Sequence, residues 1–436
     1  MTGNAEAPGE RGGVVRVARD AVLLSGSSVA AAVLSFLAWV YLARVLLPEE
    51  YGALAAAFAF VALFQMFGDF GVNYYAIREG SKDAAHATQI WRTLFGLKLS
   101  LLGGATAVVL LLAFVFPFRP TERALILVYL AALPIGGVAT YLSGLLNAHR
   151  RMTRLASVQL AERVAYVGLV PPLVALGMGA PGAVLAAVGS ASLYAILVWA
   201  AIARVRTGPL WPPDRVASWR PHLAAAFAFG VAALLMNIVQ RVDVVLLAVL
   251  SDPRSLAGYV AAVQVFFLLL LMATGLAQAA FPWIVRRMHR GEMPLRALGK
   301  WTAALGLLST VIAIAASAGA PVVFPTLFGP DLAQGAAAFR ILVWAIVPAF
   351  TTIPLSLAID ALNLQKVHVL NASAMVTINV GLNLTWIPSM GASGAAWAAV
   401  VSWGYALLVG APIAFLMIRR RQRKSRRDAL GETTSP

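Results

Sequence analysis

The chain has 436 residues, 60% hydrophobic and 12% charged, with a mean hydropathy of +0.81 and a formal net charge of +16. Those proportions exclude a soluble globular domain and define a polytopic helical membrane protein. The lack of cysteine excludes disulfides and thiolate metal sites. Where the positive charge sits, rather than its total, decides against nucleic acid as a partner.

Apolar windows of about 20 residues, cut by Gly/Pro or charged clusters, predict twelve helices. The first six are 21–47, 51–77, 91–117, 123–147, 155–177 and 181–203, and the second six are 223–250, 256–285, 298–324, 336–362, 367–387 and 392–418. Arg11, Arg16 and Arg19 ahead of the first run imitate a secretory signal. The run is too long for the roughly 7–15 apolar residues of such a signal, so it is read as a membrane span.

The basic residues test this count. Alternate connections carry Arg78/Lys82/Arg92, Arg150/Arg151/Arg154, Arg204/Arg206/Arg215/Arg220, Arg286/Arg287/Arg290/Arg296/Lys300 and Lys366. Both termini fall on the same side, the tail with Arg419, Arg420, Arg421, Arg423, Lys424, Arg426 and Arg427. The other connections hold only Arg44, Arg119, Arg123 and Arg254. This bias places both termini in the cytoplasm and the protein, multi-pass, in the cell membrane. The basic tail then rests on anionic lipid, each residue contributing about 1 kcal/mol.

Internal repetition divides the chain. Gly182-Ala183-x-x-Ala186-Ala187-Val188-x-Ser190 returns as Gly394-Ala395-x-x-Ala398-Ala399-Val400-x-Ser402, and Leu146-Asn147-Ala148-His149-Arg150 is echoed by Leu362-Asn363-Leu364-Gln365-Lys366. Six spans per copy make the copies parallel, and such halves in transporters enclose a path near the bilayer midplane. The expected architecture is all-α: about 12 transmembrane helices in two parallel six-helix bundles around a central cavity. Its segments are a cytoplasmic start (1–20), an N-terminal bundle (21–203), a Pro-rich cytoplasmic linker (204–222), a C-terminal bundle (223–418) and a basic tail (419–436).

A charge deep in hydrocarbon costs several kcal/mol unless it faces a partner or a watery cavity. Lys98, Arg163, Arg241 and Arg340 lie inside predicted spans and form a candidate track for an anion, above all a diphosphate, which Arg binds bidentately. Asp243, Glu162 and Asp69 are the candidate counter-ions or coupling groups. Asn237, Gln240, Gln264 and Asn379 add polar groups to the expected cavity, although Asn and Gln also serve as hydrogen-bonding glue between helices. In the seventh span, Asn237 and Arg241 share one face and Gln240 and Asp243 another.

Other patterns carry no chemistry. Gly177-Met178-Gly179-Ala180-Pro181-Gly182 fits the dinucleotide-binding pattern, but no strand precedes it, so it reads as a hairpin turn. The five histidines are too dispersed for a metal cluster. No P-loop or catalytic constellation emerges, so neither an enzyme nor a cofactor is expected.

Tyr41-Leu42-Ala43-Arg44-Val45-Leu46-Leu47-Pro48-Glu49-Glu50-Tyr51-Gly52, then Gly68-Asp69-Phe70-Gly71 and Ile77-Arg78-Glu79, resemble the opening of the polysaccharide biosynthesis export family. Those are the O-antigen-type lipid-linked oligosaccharide flippases. Arg241-Val242-Asp243, Gly258-Tyr259-x-Ala261-Ala262 and Gly391-Ala392-Ser393-Gly394-Ala395-Ala396-Trp397-Ala398 are similar to that family's later spans. The resemblance implies two six-helix bundles, a fold shared with multidrug extruders and lipid II flippases. It implies that a polyprenyl-diphosphate-linked oligosaccharide moves from the cytoplasmic to the outer leaflet by alternating access. The implied partners are the lipid-linked glycan, a polysaccharide polymerase and glycosyltransferases. The alternative on the same fold is an ion-coupled multidrug antiporter, which calls for acidic residues to dominate the interior. A membrane-embedded glycosyltransferase calls for a carboxylate-bearing outer loop, and the outer connections are short.

Overall fold

The computed structural model describes residues 8–80, 84–149, 151–203, 219–289, 295–362 and 364–419. Lys82, Arg150, Arg290 and the basic tail beyond Arg419 fall outside them, as do residues 204–218 of the expected linker.

Among the described residues every regular element is helical. In chain order these are α1 (Pro8–Val45), α2 (Pro48–Phe67), α3 (Val72–Gly80), α4 (Ala84–Val115), α5 (Pro120–Tyr129), α6 (Ala132–Ala148), α7 (Met152–Leu173) and α8 (Gly179–Ala203). There follow α9 (Arg220–Leu250), α10 (Pro253–His289), α11 (Leu295–Phe328), α12 (Gly335–Leu342), α13 (Ile346–Ala361), α14 (Gln365–Met390) and α15 (Ala392–Tyr405). The chain stays helical through 406–419. Prolines open α1, α2, α5 and α10, where a missing N–H leaves no bond unmade. The first helix therefore starts at Pro8 rather than at 21, with no further proline before Val45.

Among the described residues, eleven segments are long and apolar enough to cross a membrane. One of them, Met152–Ala203, has 52 residues and at ~1.5 Å per residue is more than twice the roughly 30 Å of a bilayer core. It turns back at Gly177 (φ 80°) and Gly179 (φ 54°), so that α7 packs along α8. The turn expected at Gly177–Gly182 is therefore present, and the described residues give twelve crossings.

Three predicted spans are interrupted. The second breaks between α2 and α3, where Phe70 (φ 43°) and Gly71 (φ 79°) are left-handed. The fourth breaks at Leu130–Ala131, and the tenth at the 3-10 turn Val343–Ala345. The cause of the latter two is legible. Pro134 and Pro348 each lack the N–H that would bond the carbonyl four residues back, on Leu130 and Trp344. The same proline recurs at the same place in each half.

A second repeat feature is conformational. Gly179 (φ 54°, ψ −136°) and Gly391 (φ 53°, ψ −131°) stand at equivalent positions of the Gly182/Gly394 motif. A side chain rarely enters that region, so both copies need glycine there.

The chain divides into two compact units, Met1–Tyr41 with Phe60–Ala233, and Leu42–Ala59 with Leu234–Pro436. The 42–59 hairpin groups with the second unit and the start of α9, as far as Ala233, with the first. Glycine contacts explain both groupings. At Gly52 an added Cβ would lie 3.2 Å from the Pro253 carbonyl oxygen, and the Gly230 backbone sits against that of Phe70 and Gly71. The Arg44 guanidinium also donates to the carbonyls of Thr326 and Leu327 at the end of α11. The first unit has a core around Trp91, Tyr141, Leu145 and Val198. The second has a core around Leu355, Ala358, Val367 and Ile418.

Candidate functional site

Two ion pairs of the first unit, among the described residues, involve candidate cations. The break after α2 presents Asp69 to α4, and Lys98 Nζ donates to its Oδ1 at 2.6 Å. The lysine side chain is 2% exposed and the aspartate 20%. Burying both charges is tolerable because each supplies the other's partner, and removing either leaves an uncompensated ion. Lys98 is thus committed to Asp69 within its own unit.

Arg163 behaves differently. It and Glu162 are the central residues of α7, and the guanidinium Nε lies 3.2 Å from the carboxylate. Arg163 is 44% exposed and Glu162 18%. Gln159, Glu162, Arg163 and Tyr166 follow the i, i+3, i+4, i+7 spacing that lines one helix face. Ser190 of α8 lies beside Glu162, and Tyr194 of α8 lies beside Gln159 and Ser143. The sequence marked Glu162 and Arg163 of this stripe. Ser143, Ser190 and Tyr194 were missed because serine and tyrosine are unremarked in an apolar helix until packing brings them together.

In the second unit Asp243 is 5% exposed. The Tyr259 hydroxyl of α10 donates to one of its oxygens, and the Val244 N–H donates to the other at 2.8 Å. The sequence does carry a signal for this pair, since Asp243 and Tyr259 lie eight residues either side of Ser251 (251 − 243 and 259 − 251). Residues equidistant from the turn of a helical hairpin lie at the same height on the two helices. Arg241 is half-buried, contributes its charge to the surroundings of Asp243, and has an interaction of its own.

Asn383 Nδ2 donates to Asn379 Oδ1 at 2.9 Å on α14, and both residues are fully buried. Asn379 Nδ2, Asn383 Oδ1 and the Oδ1 of Asn237 on α9 have no hydrogen-bond partner among the described residues. Val239 of α9 packs on Met375 of α14, which ties these two helices together. Gln240 and Gln264 are half-buried. Arg340 ends α12 exposed, joined to none of the other candidates by a hydrogen bond or ion pair among the described residues. The four expected cations therefore occupy four separate settings, two in each unit. Among the described residues no group of three or more His, Asp or Glu is arranged to hold a metal ion.

Solved structures share this fold. The lipid II flippase MurJ in an inward closed conformation aligns with a TM-score of 0.72 at 12% identity, over 95% of this chain and 94% of that one. A multidrug resistance transporter of the MATE family, of the MOP superfamily, in an inward-facing conformation gives 0.68 at 16%, over 93% and 96%. A MOP superfamily transporter from Pyrococcus furiosus gives 0.65 at 16%, over 93% and 95%. A curated relative, the probable multidrug resistance protein NorM of Rhizobium meliloti (strain 1021), is 28% identical over 222 residues, 47% of this chain and 45% of the relative. The match thus spans less than half of that relative's length.

These likenesses show the fold, an all-helical two-lobed one, and the apolar segments place the chain in the class of helical multi-pass membrane proteins. Within it, the sequence profile described as "Polysaccharide biosynthesis protein" matches residues 17–288, more than half of the chain. The protein belongs to that family.

Proposed function

We propose that this protein is a flippase that carries a polyprenyl-diphosphate-linked oligosaccharide from the cytoplasmic to the outer leaflet, by alternating access, for cell-surface polysaccharide synthesis. The observation that carries this reading is the Glu162–Arg163 couple at the centre of α7. An arginine at mid-helix is costly in hydrocarbon, and this one is kept half-exposed with a single carboxylate clipped to it. A diphosphate brings more charge and more acceptor oxygens than one carboxylate, and a guanidinium meets it bidentately. The cargo head displaces Glu162, and Glu162 restores neutrality when the carrier is empty. Arg241 is the corresponding cation of the second unit, Asp243 and Asp69 hold their own partners as coupling or counter-ion groups, and Lys98 is released only if Asp69 lets go. Family membership and the fold shared with a lipid flippase support the reading. Both termini lie in the cytoplasm, where glycosyltransferases load the lipid carrier, and the polymerase acts on the other side.

The test is translocation of a fluorescent short-chain prenyl-diphosphate glycolipid in proteoliposomes. Arg163→Ala is expected to cut the rate at least tenfold. Glu162→Gln is expected to tighten binding of farnesyl diphosphate several-fold while slowing turnover. Unchanged rates and affinities in both variants would overturn the assignment. The competing reading, an ion-coupled multidrug antiporter, draws on the names of the NorM relative and the MATE structures. Ethidium efflux by the same proteoliposomes, with no glycolipid movement, would establish it instead.

A further inference from the structure

Three turns of the second unit converge at one end: 251–252 before α10, 329–334 before α12, and Gly391 between α14 and α15. Between them lies a cavity of about 190 Å³ lined by Asp252, Ser255, Gly258, Gln334, Gly335 and Ser393. None of these residues belongs to the ionic groups described above. Its floor is built by a close helix contact. The backbones of α10 and α12 meet at Gly258 and Gly335, and a Cβ on Gly335 would sit 2.5 Å from the Gly258 carbonyl oxygen. The walls are tied together by side chains. Asp252 Oδ1 accepts from the Ser255 N–H at 2.8 Å, Ser255 Oγ accepts from the Ala392 N–H at 2.9 Å, and Gln334 Nε2 donates to the Arg254 carbonyl at 3.1 Å.

Those bonds leave a definite set of groups for a guest. The second carboxylate oxygen of Asp252 and the Oε1 of Gln334 remain as acceptors. The hydroxyl protons of Ser255 and Ser393 remain as donors. An anion is repelled by Asp252. A divalent cation wants six to eight oxygens and more than one carboxylate as a rule, and Arg254, two residues on, adds a positive charge paired with Glu49 at 3.4 Å. What matches is a neutral molecule with adjacent hydroxyls, donating to the carboxylate and amide oxygens and accepting from the serines. The volume is well below the roughly 300 Å³ at which drug-sized sites begin, which limits the guest to about one ring.

We propose that this pocket binds a single sugar ring of the transported glycan at the outer face. The assignment rests on the flippase reading above for the identity of the cargo and for which end is outside. It adds a glycan subsite remote from the diphosphate group.

The test uses the full-length protein in lipid nanodiscs free of sugar detergents. Saturation-transfer NMR reports contact with a panel of methyl glycosides. At least one glycoside is expected to receive saturation at its ring protons. That signal should fall at least tenfold in Ser393→Leu, which fills the pocket, and in the near-isosteric Asp252→Asn. Farnesyl diphosphate, which carries no sugar, should bind both variants as it binds the unaltered protein. Saturation of no glycoside, or equal saturation in both variants, overturns the subsite. So does displacement of the glycoside by millimolar sodium or calcium, which would make the pocket a cation site. Loss of farnesyl diphosphate binding in the unaltered protein, with glycoside binding intact, would instead sink the flippase reading and leave the pocket standing.

Discussion

Each unit carries a carboxylate into a membrane-spanning hairpin, and the two units satisfy it by opposite means. Where the second span breaks between α2 and α3, Asp69 faces Lys98 of α4 and the pair is ionic. On the hairpin of α9 and α10, Asp243 faces Tyr259 and the partner is a neutral phenol. An ion pair cancels charge but makes each member indispensable to the other. A phenol cancels nothing, supplies one hydrogen bond, and serves the carboxylate in either protonation state. The first device is a lock, and the second leaves its acid free to change charge while staying in place.

The largest effect should come from splitting the lock. Lys98→Met leaves Asp69 without its cation and is expected to cost about 3–5 kcal/mol, read as a lowered unfolding temperature in detergent. Adding Asp69→Asn should recover most of that loss, because two neutral groups need no mutual compensation. A double variant as unstable as the single would show that Asp69 is held by something other than Lys98.

The phenol pair should give less. Tyr259→Phe removes one donor from a buried carboxylate at a cost of about 2 kcal/mol, whereas Asp243→Asn keeps an acceptor for Tyr259 and should cost under about 1 kcal/mol. Equal losses in the two variants would make this pair ionic in character as well, and the contrast between the hairpins would fail. A comparable effect concerns what the units have in common. Gly179→Ala and Gly391→Ala each force a side chain into the same positive-φ conformation and should each cost about 1–3 kcal/mol, with the added Cβ at Gly391 also meeting Ser255 Oγ at 2.7 Å. Markedly different penalties would show that the two turns, alike in dihedral angles, are not alike in constraint.

Much of this was legible beforehand, for local reasons. The number of crossings follows from apolar run length, and the turn at Gly177–Gly182 from glycine spacing. The breaks at Leu130 and Trp344 were equally local, since Pro134 and Pro348 announce them, yet a hydropathy window passes over a proline that leaves the run apolar. The break at Gly68–Gly71 was not local in the same sense. Its glycine backbone is pressed against Gly230, more than 150 residues away (230 − 71), and nothing in the intervening chain declares that contact. The candidate site divides along the same line. Glu162 and Arg163 stand out in any reading of their helix, while Lys98 looked available for an anion until α4 was laid against the broken end of α2.

From the amino-acid order alone come the helical membrane class, the twelve crossings and the deep charges, because hydrophobic run length and the cost of a charge in hydrocarbon act residue by residue. Tertiary structure alone decided which charges are spent on each other, that Asp243 is held by a phenol, and where three turns leave a polar cavity. Those outcomes depend on which helix faces which, and helix facing is set by close glycine contacts between segments far apart in the chain.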